Sequence, residues 1–283
     1  MPGDWADEDL LKSTAEIPAP APPRRRAATL ILIAALLGAA GGAWYAGFGN
    51  WGRSDLETTA APKTPVAGAD YALGSDPFSV DVPPLDESDS VVAGLVAKLS
   101  SHPRVAAWLA TKGLIRNFTV VVTNIAEGQA PAALVPALRP SSSFNVVQRG
   151  AATYIDPQSY ERYTPLADAV ASIDPAGSAR LYATLKPRLG EAYRDLGIAE
   201  PLFDRTLERA IVLLLNTPVV DQPVAVKPKG LGYGFADDRL ERLTPAQKQL
   251  LRMGPQNTRT IQRRLREIGL ALGIPSERLP GVN

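Results

Sequence analysis

Apolar positions follow two different patterns along the chain. From residue 27 to residue 48 they form an almost continuous run (AATLILIAALLGAAGGAWYAGF), and the first charge after it is Arg53. A run of about 20 apolar residues is long enough to cross the hydrocarbon core of a bilayer. Beyond residue 85 the apolar residues recur at helical spacing between polar ones. These patterns predict one transmembrane helix at 27–48 and a soluble, mainly α domain at 85–283.

The charges around the apolar run predict its orientation. Three arginines at 24–26 stand directly before it, whereas only Arg53 and Lys63 follow closely. Positive residues remain on the cytoplasmic side of a membrane. We therefore predict a single-pass protein of the cell inner membrane, with residues 1–26 in the cytoplasm and the C-terminal domain in the periplasm.

A cleaved signal peptide is the alternative interpretation of the same segment. The arginines, the apolar run and the small residues at 41–46 resemble the three regions of such a peptide. The apolar run is, however, longer than the usual 7 to about 15 residues of a signal peptide. The retained anchor is the prediction that we carry forward.

The segments on either side of the apolar run are poor in residues that build a core. The tail at 1–26 is acidic and then rich in Pro and Ala, which predicts a disordered cytoplasmic segment. Residues 49–84 are rich in Pro, Ala and Gly, and such composition is typical of a flexible tether.

Small residues recur every four positions within the apolar run, at Ala34, Gly38, Gly42 and Ala46. Such a stripe lets two membrane helices approach closely, so it predicts a homodimer through the transmembrane helix. Because Ala and Gly are common throughout the run, a monomeric anchor is the alternative.

Periodicity in the body predicts a series of helices. Asp86 or Ser88 is the expected cap of the first one. The predicted helical stretches lie near 91–99, 105–109, 114–127, 160–173, 175–193, 203–215, 245–253 and 261–272. The third contains a run of β-forming residues, and the fifth begins with Asp174 and Pro175 as an N-cap pair.

Two segments with alternating apolar residues predict small β-hairpins. Residues 144–157 read FNVVQRGAATYIDP, with a turn at Gly150. The second hairpin places KPKGLG between Val226 and Tyr233. The two hairpins are candidates for one small sheet, which makes the predicted fold mainly α with one or two β-hairpins.

Composition excludes several classes of function. Lys and Arg number 30 against 29 Asp and Glu, so the overall charge indicates no nucleic-acid partner. The chain has no Cys and a single His, His102, which leaves no thiolate or zinc ligand set. His102 precedes Pro103, and a surface or capping role is predicted for it. No cofactor, metal or catalytic residue is predicted.

The most distinctive local chemistry is a tyrosine-rich segment, YIDPQSYERY. Tyrosine has flat apolar area with a polar tip and is common in binding surfaces. Helix capping and core packing would equally explain these residues. Together with basic and amide residues near the C-terminus, the segment defines the candidate binding surface: Tyr154, Asp156, Tyr160, Arg162, Tyr163, Lys248, Arg252 and Asn257.

Several segments of the body resemble a known family. They are LDESDSVV, LIRNFTVVVTNIAEG, YIDPQSYERY, LYATLKPRLGEAYRDLG and FADDRLERLTPAQKQLLRMGPQN. These segments are similar to the membrane-anchored Gram-negative bacterial proteins grouped as domain of unknown function 3014. The resemblance spans about residues 85–272. It implies an anchor, a tether and an envelope-facing domain, and it implies no catalytic residue.

The sequence therefore predicts a non-enzymatic envelope protein. Its expected contacts are the lipid bilayer and a protein or cell-wall partner bound by the periplasmic domain. The alternative is an enzyme that acts on peptidoglycan or another envelope polymer, with carboxylates and tyrosines brought together from separate helices. Convergence of Asp156, Arg162, Lys248, Arg252 and Asn257 on one open pocket would favour that alternative, and their use in caps and ion pairs would count against it.

Overall fold

The structure, a computed structural model, describes residues 72–109, 111–130, 140, 142–198, 202–230 and 232–282. The predicted cytoplasmic tail, transmembrane helix and small-residue stripe lie outside the described residues, as does the predicted tether up to residue 71. Within the described ranges, no helix combines the length and the apolar character that a membrane span requires.

Helices make up most of the described body, which confirms the predicted fold class. They are α1 (Asp89–Val96), α2 (Pro103–Trp108), α3 (Leu114–Ala126), α4 (Gln158–Glu161), α5 (Thr164–Ala171), α6 (Pro175–Asp195), α7 (Phe203–Leu215), α8 (Asp238–Glu241), α9 (Pro245–Leu251) and α10 (Pro255–Ala271). Short 3-10 turns lie at Leu85–Glu87 and Ser276–Arg278.

Two of the predicted helix starts are confirmed by their hydrogen bonds. The Asp174 carboxylate accepts bonds from the N–H groups of Ala176 and Gly177 at the start of α6. His102 caps α2, because its Nδ1 accepts the Arg104 N–H at 3.2 Å. The only histidine thus has the capping role that the sequence predicts for it.

The predicted cap of α1 is wrong. Ser88 donates its hydroxyl to the Leu85 carbonyl, and Asp86 pairs with Arg116 on α3. The first residue of α1 caps a different helix: the Asp89 carboxylate accepts the N–H groups of Gly113 and Leu114, at 2.7 and 2.8 Å. This capping bond joins α1 to the start of α3.

Helix α3 forms although its sequence favours strands. Its apolar face, which includes Val121, Val122 and Phe118, is buried in the core. Phe118 contacts Phe203 of α7 edge to face, with ring centroids 5.9 Å apart. Because burial stabilises far more than the small difference in local propensity, packing decides the conformation of this segment.

The helix predicted across residues 160–173 is instead two helices. Helix α4 ends at Glu161, and α5 begins at Thr164, with Pro165 in its first turn. Proline has no N–H to continue a helix and favours the first turn of a new one. The break separates Tyr160 from Tyr163. In one continuous helix these two residues would lie on the same face.

The two predicted hairpins form one sheet, as proposed from the sequence. Its strands are β1 (Val146–Arg149), β2 (Ala152–Ile155), β3 (Ala225–Lys229) and β4 (Gly232–Phe235), in the order β1-β2-β3-β4 with every pair antiparallel. Gly150, at a φ of 62°, provides the left-handed turn between β1 and β2. Thr153 of β2 lies opposite Val226 of β3 and joins the hairpins.

The apolar residues form two clusters. The larger one fills the space between the helices and includes Tyr163, Leu166, Leu189, Leu214 and Ile261. The smaller one lies between the sheet and the helices around α9, and its buried members are Ile155, Val224, Val226, Phe235 and Leu251. Of the candidate tyrosines, Tyr163 belongs to the larger cluster and Tyr160 packs against the smaller one.

Residues 72–82, which we call the N-terminal strap, lie against α6 although their composition predicts a tether. Leu73 is 2% exposed, and the Gly74 N–H donates to the Leu272 carbonyl at 2.9 Å. Further along the strap, the Phe78 N–H donates to Thr184 Oγ1, and Arg188 donates to the Val82 carbonyl. The folded body therefore includes residues well before Leu85.

Candidate functional site

The eight residues of the candidate surface separate into two groups in the structure. Lys248 and Arg252 lie near Glu241, and Tyr163 interacts with both Arg252 and Arg162; we call these five residues the basic cluster. Tyr160 and Asn257 line an open cleft beside it. Of the remaining two, Asp156 accepts the Gln158 N–H at the start of α4, and Tyr154 lies in β2 opposite Val147 and Ala225.

Arg162 lies between aromatic rings in the basic cluster. Its guanidinium carbon is 4.7 Å from the centroid of the Tyr163 ring and 5.4 Å from that of Phe144. Its Nη2 donates to the Tyr163 hydroxyl and its Nη1 to the Ser142 carbonyl. Such stacking on aromatic faces suits the planar guanidinium.

Glu241 is the acidic centre of the basic cluster. Its carboxylate accepts Lys229 Nζ at 2.6 Å and the Phe235 N–H at 3.0 Å, and Lys248 Nζ lies 3.7 Å away. Burial acts to raise the pKa of Glu241, but the hydrogen bonds and the neighbouring positive charges outweigh it and hold the pKa below its usual value. Burial lowers the pKa of Lys248, against the charge of Glu241.

Replacing Glu241 with glutamine should make the free energy of unfolding depend less on pH in the acid range. A carboxyl whose pKa is depressed in the folded state stabilises that state above its unfolded pKa, and this contribution is lost as pH falls through the folded value. Glu241→Gln should therefore be less stable than wild type at pH 7 and should lose less stability between about pH 6 and 3. Urea unfolding across this range measures the difference.

The matched control for that variant is Glu87→Gln. Glu87 lies exposed in the first 3-10 turn, so its replacement removes one carboxylate away from the basic cluster. This control should retain the wild-type dependence on pH. If Glu241→Gln and wild type lost the same free energy of unfolding as the pH falls, Glu241 would not be the carboxyl whose pKa is held below its usual value.

The cleft has a volume of about 330 Å³ and opens between the sheet and the start of α10. Its walls come from four segments: Arg149 of β1, five residues from Ile155 to Thr164, the loop 220–223, and residues 253–257. The first and last of these segments are more than 100 positions apart in the sequence. A cleft of this size lies at the lower end of the range for small-ligand sites.

Tyr160 and Asn257 connect the walls of the cleft. Asn257 Nδ2 donates to the carbonyls of Tyr160 and Met253, both at 2.9 Å. The Tyr160 ring packs against the backbone of Gly254, where a Cβ atom would lie 2.7 Å from the Tyr160 Cβ. Burial raises the pKa of Tyr160 to about 12, so its hydroxyl remains protonated at neutral pH.

Carboxylates at the cleft are partly engaged elsewhere. Asp221 forms a two-pronged ion pair with Arg259, at 2.8 and 2.6 Å. Glu161, which follows Tyr160 in α4, also lines the cleft. Within the described ranges, no group of three or more His, Asp or Glu side chains is arranged to hold a metal ion.

Three residues of these sites were missed by sequence reasoning. Glu241 and Arg149 are single charges among many, and only the tertiary contacts distinguish them. Gly254 had a usable signal, because a Gly-Pro pair between two helical patterns is typical of a turn that ends one helix and begins the next. Its contact with Tyr160 joins positions 94 residues apart, and no local pattern predicts such a contact.

The fold and sites define a helical body with a four-stranded antiparallel meander, a basic cluster and an open cleft. A family model matches residues 114–269, more than half of the chain, and its description is "Protein of unknown function (DUF3014)". The chain belongs to this family, so the resemblance predicted from the sequence is confirmed. The match includes all four strands and both groups of candidate residues. No curated protein and no solved structure matches the chain.

Proposed function

We propose that this protein is a single-pass inner-membrane protein whose periplasmic body binds a protein or cell-wall partner through the cleft. The observation that carries this proposal is the construction of the cleft from four segments of the family domain. Ile155, Val220 and Met253 supply apolar wall area, and Arg149 and Glu161 supply charge. Binding sites commonly combine apolar walls with a few polar groups.

A binding role is favoured over an enzymatic role by the use of the polar residues. Asp156 caps α4, Asp221 is paired with Arg259, and Glu241 accepts bonds from Lys229 and Phe235. General acid and base catalysis instead needs two titratable groups that face the substrate. These three carboxylates are thus committed to structure.

The proposed location rests on the residues before the body. Arginines at 24–26 and the uncharged run at 27–48 support an anchor with the body outside the cytoplasm. A described body that begins by Leu73 leaves about 23 residues between the run and the fold. As an extended chain these would reach up to about 75 Å, at about 3.3 Å per residue.

One cysteine introduced into this cysteine-free chain tests both location and binding. Gln222→Cys places a thiol at the rim of the cleft, and Lys98→Cys places one on the exposed surface near the end of α1. In intact cells, a maleimide that crosses the outer but not the inner membrane should label both variants. A thiol-reactive photocrosslinker should capture one dominant protein or wall fragment from Cys at position 222 alone.

Two results would contradict the proposal. Protection of both thiols until the inner membrane is opened would place the body in the cytoplasm. Identical crosslinked products from the two positions would show contact by chance collision and would remove the cleft as the binding surface.

A further inference from the structure

We propose that the basic cluster binds an oxyanion, that is, a phosphate or carboxylate group of a ligand. None of its five residues lines the cleft, so this site goes beyond the proposed function. Three features support it: an excess of positive charge, a buried arginine donor without an acceptor, and a lysine ammonium with unused donors.

Four cations and one carboxylate lie together at this site. Lys229, beside the basic cluster, contacts Glu241 at 2.6 Å, and the other three cations are Arg162, Lys248 and Arg252. Among the described residues, Glu241 is the one carboxylate whose charge acts on Lys248 and Arg252. Within the same part of the chain, no carboxylate lies within ion-pair distance of Arg162. The site therefore holds more positive than negative charge.

This positive charge is partly buried, which makes its excess costly. The side chain of Lys248 is 19% exposed, and the guanidinium carbon of Arg252 lies 4.8 Å from the centroid of the Phe235 ring. Burial lowers the pKa of Lys248, and the charges of Lys229 and Arg252 lower it further. Like charges that are partly removed from water destabilise one another, so a bound anion would stabilise the arrangement.

Arg162 provides the second feature. Its Nη1 donates to the Ser142 carbonyl and its Nη2 to the Tyr163 hydroxyl, which is neutral because burial raises the pKa of Tyr163. Its Nε is buried and has no acceptor among the described residues, although buried donors normally have one. A guanidinium offers its Nε–H and an Nη–H as parallel donors, an arrangement that carboxylate and phosphate oxygens accept. The residue as a whole is only half-buried, so a small rotation of the guanidinium would expose this donor to a ligand.

Lys248 provides the third feature. Its Nζ donates to the Glu241 carbonyl at 2.9 Å, whereas the Glu241 carboxylate lies 3.7 Å away, too far for a hydrogen bond. An ammonium has three donors, and the described residues provide this one acceptor. Two donors are therefore left for a ligand.

These side chains select the chemistry of the ligand. Ammonium and guanidinium groups donate hydrogen bonds and accept none, so the matching group accepts hydrogen bonds and carries negative charge. Phosphate and carboxylate groups share both properties. A neutral ligand would leave the excess positive charge in place.

The test is calorimetric titration of the full-length protein in micelles of a nonionic detergent. Pyrophosphate is the phosphate probe and tricarballylate is the carboxylate probe, each at a constant ionic strength set with sodium chloride. We expect at least one probe to bind with a dissociation constant of about 1 mM or less. Its affinity should fall as the chloride concentration rises, because salt screens charge. The probe that binds more tightly identifies the oxyanion that the site prefers.

Lys248→Gln and Arg242→Gln form a matched pair, because each removes one positive charge. Arg242 is exposed and follows Glu241 in the chain, but its charge is not among those that act on Lys248 or Glu241. The affinity for the tighter probe should fall about tenfold or more in Lys248→Gln. In Arg242→Gln it should stay within about twofold of wild type, because an exposed charge contributes little.

Arg162→Lys tests the buried donor. Lysine keeps the charge but lacks the paired donors of the guanidinium, so the affinity should fall about fivefold or more. Thermal unfolding without the probes checks that this variant is folded. If it is not, the comparison of Lys248→Gln with Arg242→Gln decides.

Three results would overturn the inference. One is the absence of saturable binding of both probes to wild type. The second is equal affinity in Lys248→Gln and Arg242→Gln, which would indicate attraction by overall charge alone. The third is wild-type affinity in a folded Arg162→Lys variant. Crosslinking from Cys at position 222 reports on the cleft independently, so each of these results leaves the proposed function standing.

Discussion

Replacing Gly254 with alanine should lower the free energy of unfolding by about 3 kcal/mol. Gly254 has φ 86° and ψ 163°, a backbone region that is open essentially to glycine alone. The added Cβ would also lie 2.7 Å from the Tyr160 Cβ, which belongs to the rigid part of that side chain. Backbone strain and steric overlap act together at this position, and urea unfolding of the full-length protein measures their sum.

The control for this variant is Gly150→Ala. Gly150 also has positive φ, at 62°, but a Cβ atom there would meet nothing within 4 Å. Gly150→Ala should therefore lower the free energy of unfolding by the backbone strain alone, about 1 kcal/mol. The extra loss at Gly254 should shrink when Tyr160 is replaced by alanine in the same chain, because this change removes the ring atoms Cγ and Cδ1, which would both lie within 2.8 Å of the added Cβ. Equal losses at Gly254 and Gly150 would show that the contact with Tyr160 is not a constraint.

Asp204→Ala should lower the free energy of unfolding by about 3 to 4 kcal/mol and free the N-terminal strap. The Asp204 carboxylate is buried and accepts three bonds: Leu73 N–H at 2.9 Å, Tyr182 hydroxyl at 2.5 Å and Lys186 Nζ at 2.5 Å. Its removal leaves the buried Tyr182 hydroxyl without its acceptor and the partly buried Lys186 ammonium with only the Leu73 carbonyl, at 3.3 Å. Such losses are among the largest that a single substitution causes.

Strap release has its own measurement. A protease of broad specificity should cut within residues 72–82 faster in Asp204→Ala than in wild type, because the strap loses the bond from Leu73 to Asp204 of α7. The control is Asp86→Ala, whose side chain is 85% exposed and pairs with Arg116. Exposed ion pairs contribute little, so the control should keep wild-type stability and cleavage. Unchanged cleavage in Asp204→Ala would mean that the other strap contacts suffice.

Much of the fold was predictable because its signals are local. Apolar periodicity places the long helices α6 and α7 within two residues of their observed ends, whereas α10 begins six residues before the predicted stretch. Asp174 with Pro175, and Gly273 at the end of α10, act through bonds to the neighbouring backbone. The helical outcome of the β-forming segment in α3 was also predicted, but there the decisive term is packing against α7.

The errors occur where a polar side chain chooses between near and distant partners. Ser88 and Asp86 have the right chemistry to cap α1, yet their bonds go to the Leu85 carbonyl and to Arg116. Likewise the strap has the composition of a tether, but Asp204 and Thr184 on distant helices accept its N–H groups. Local patterns contain no information about such partners.

In the candidate site, too, local signals were predictable and distant contacts were not. Tyrosine and arginine enrichment drew attention to YIDPQSYERY, but one continuous helix was assumed for the residues after it. The turn before Pro165 sends Tyr163 into the main core beside Arg252, and it leaves Tyr160 on Gly254 at the cleft. The residues of the predicted surface therefore lie in two adjoining groups, one in the basic cluster and one at the cleft.

The sequence by itself determined the helical body, the two hairpins, the capping role of His102 and the family, because periodicity, turn residues and capping act over a few positions. The tertiary structure alone decided the register in which the two hairpins pair. It also decided that two lysines lie near Glu241 and that β1, α4 and α10 enclose a cleft. The pairing of the two hairpins and the closure of the cleft depend on contacts between residues about 70 to 100 positions apart. Such contacts form only when the chain closes around a common core, and the physics that selects them is packing and burial.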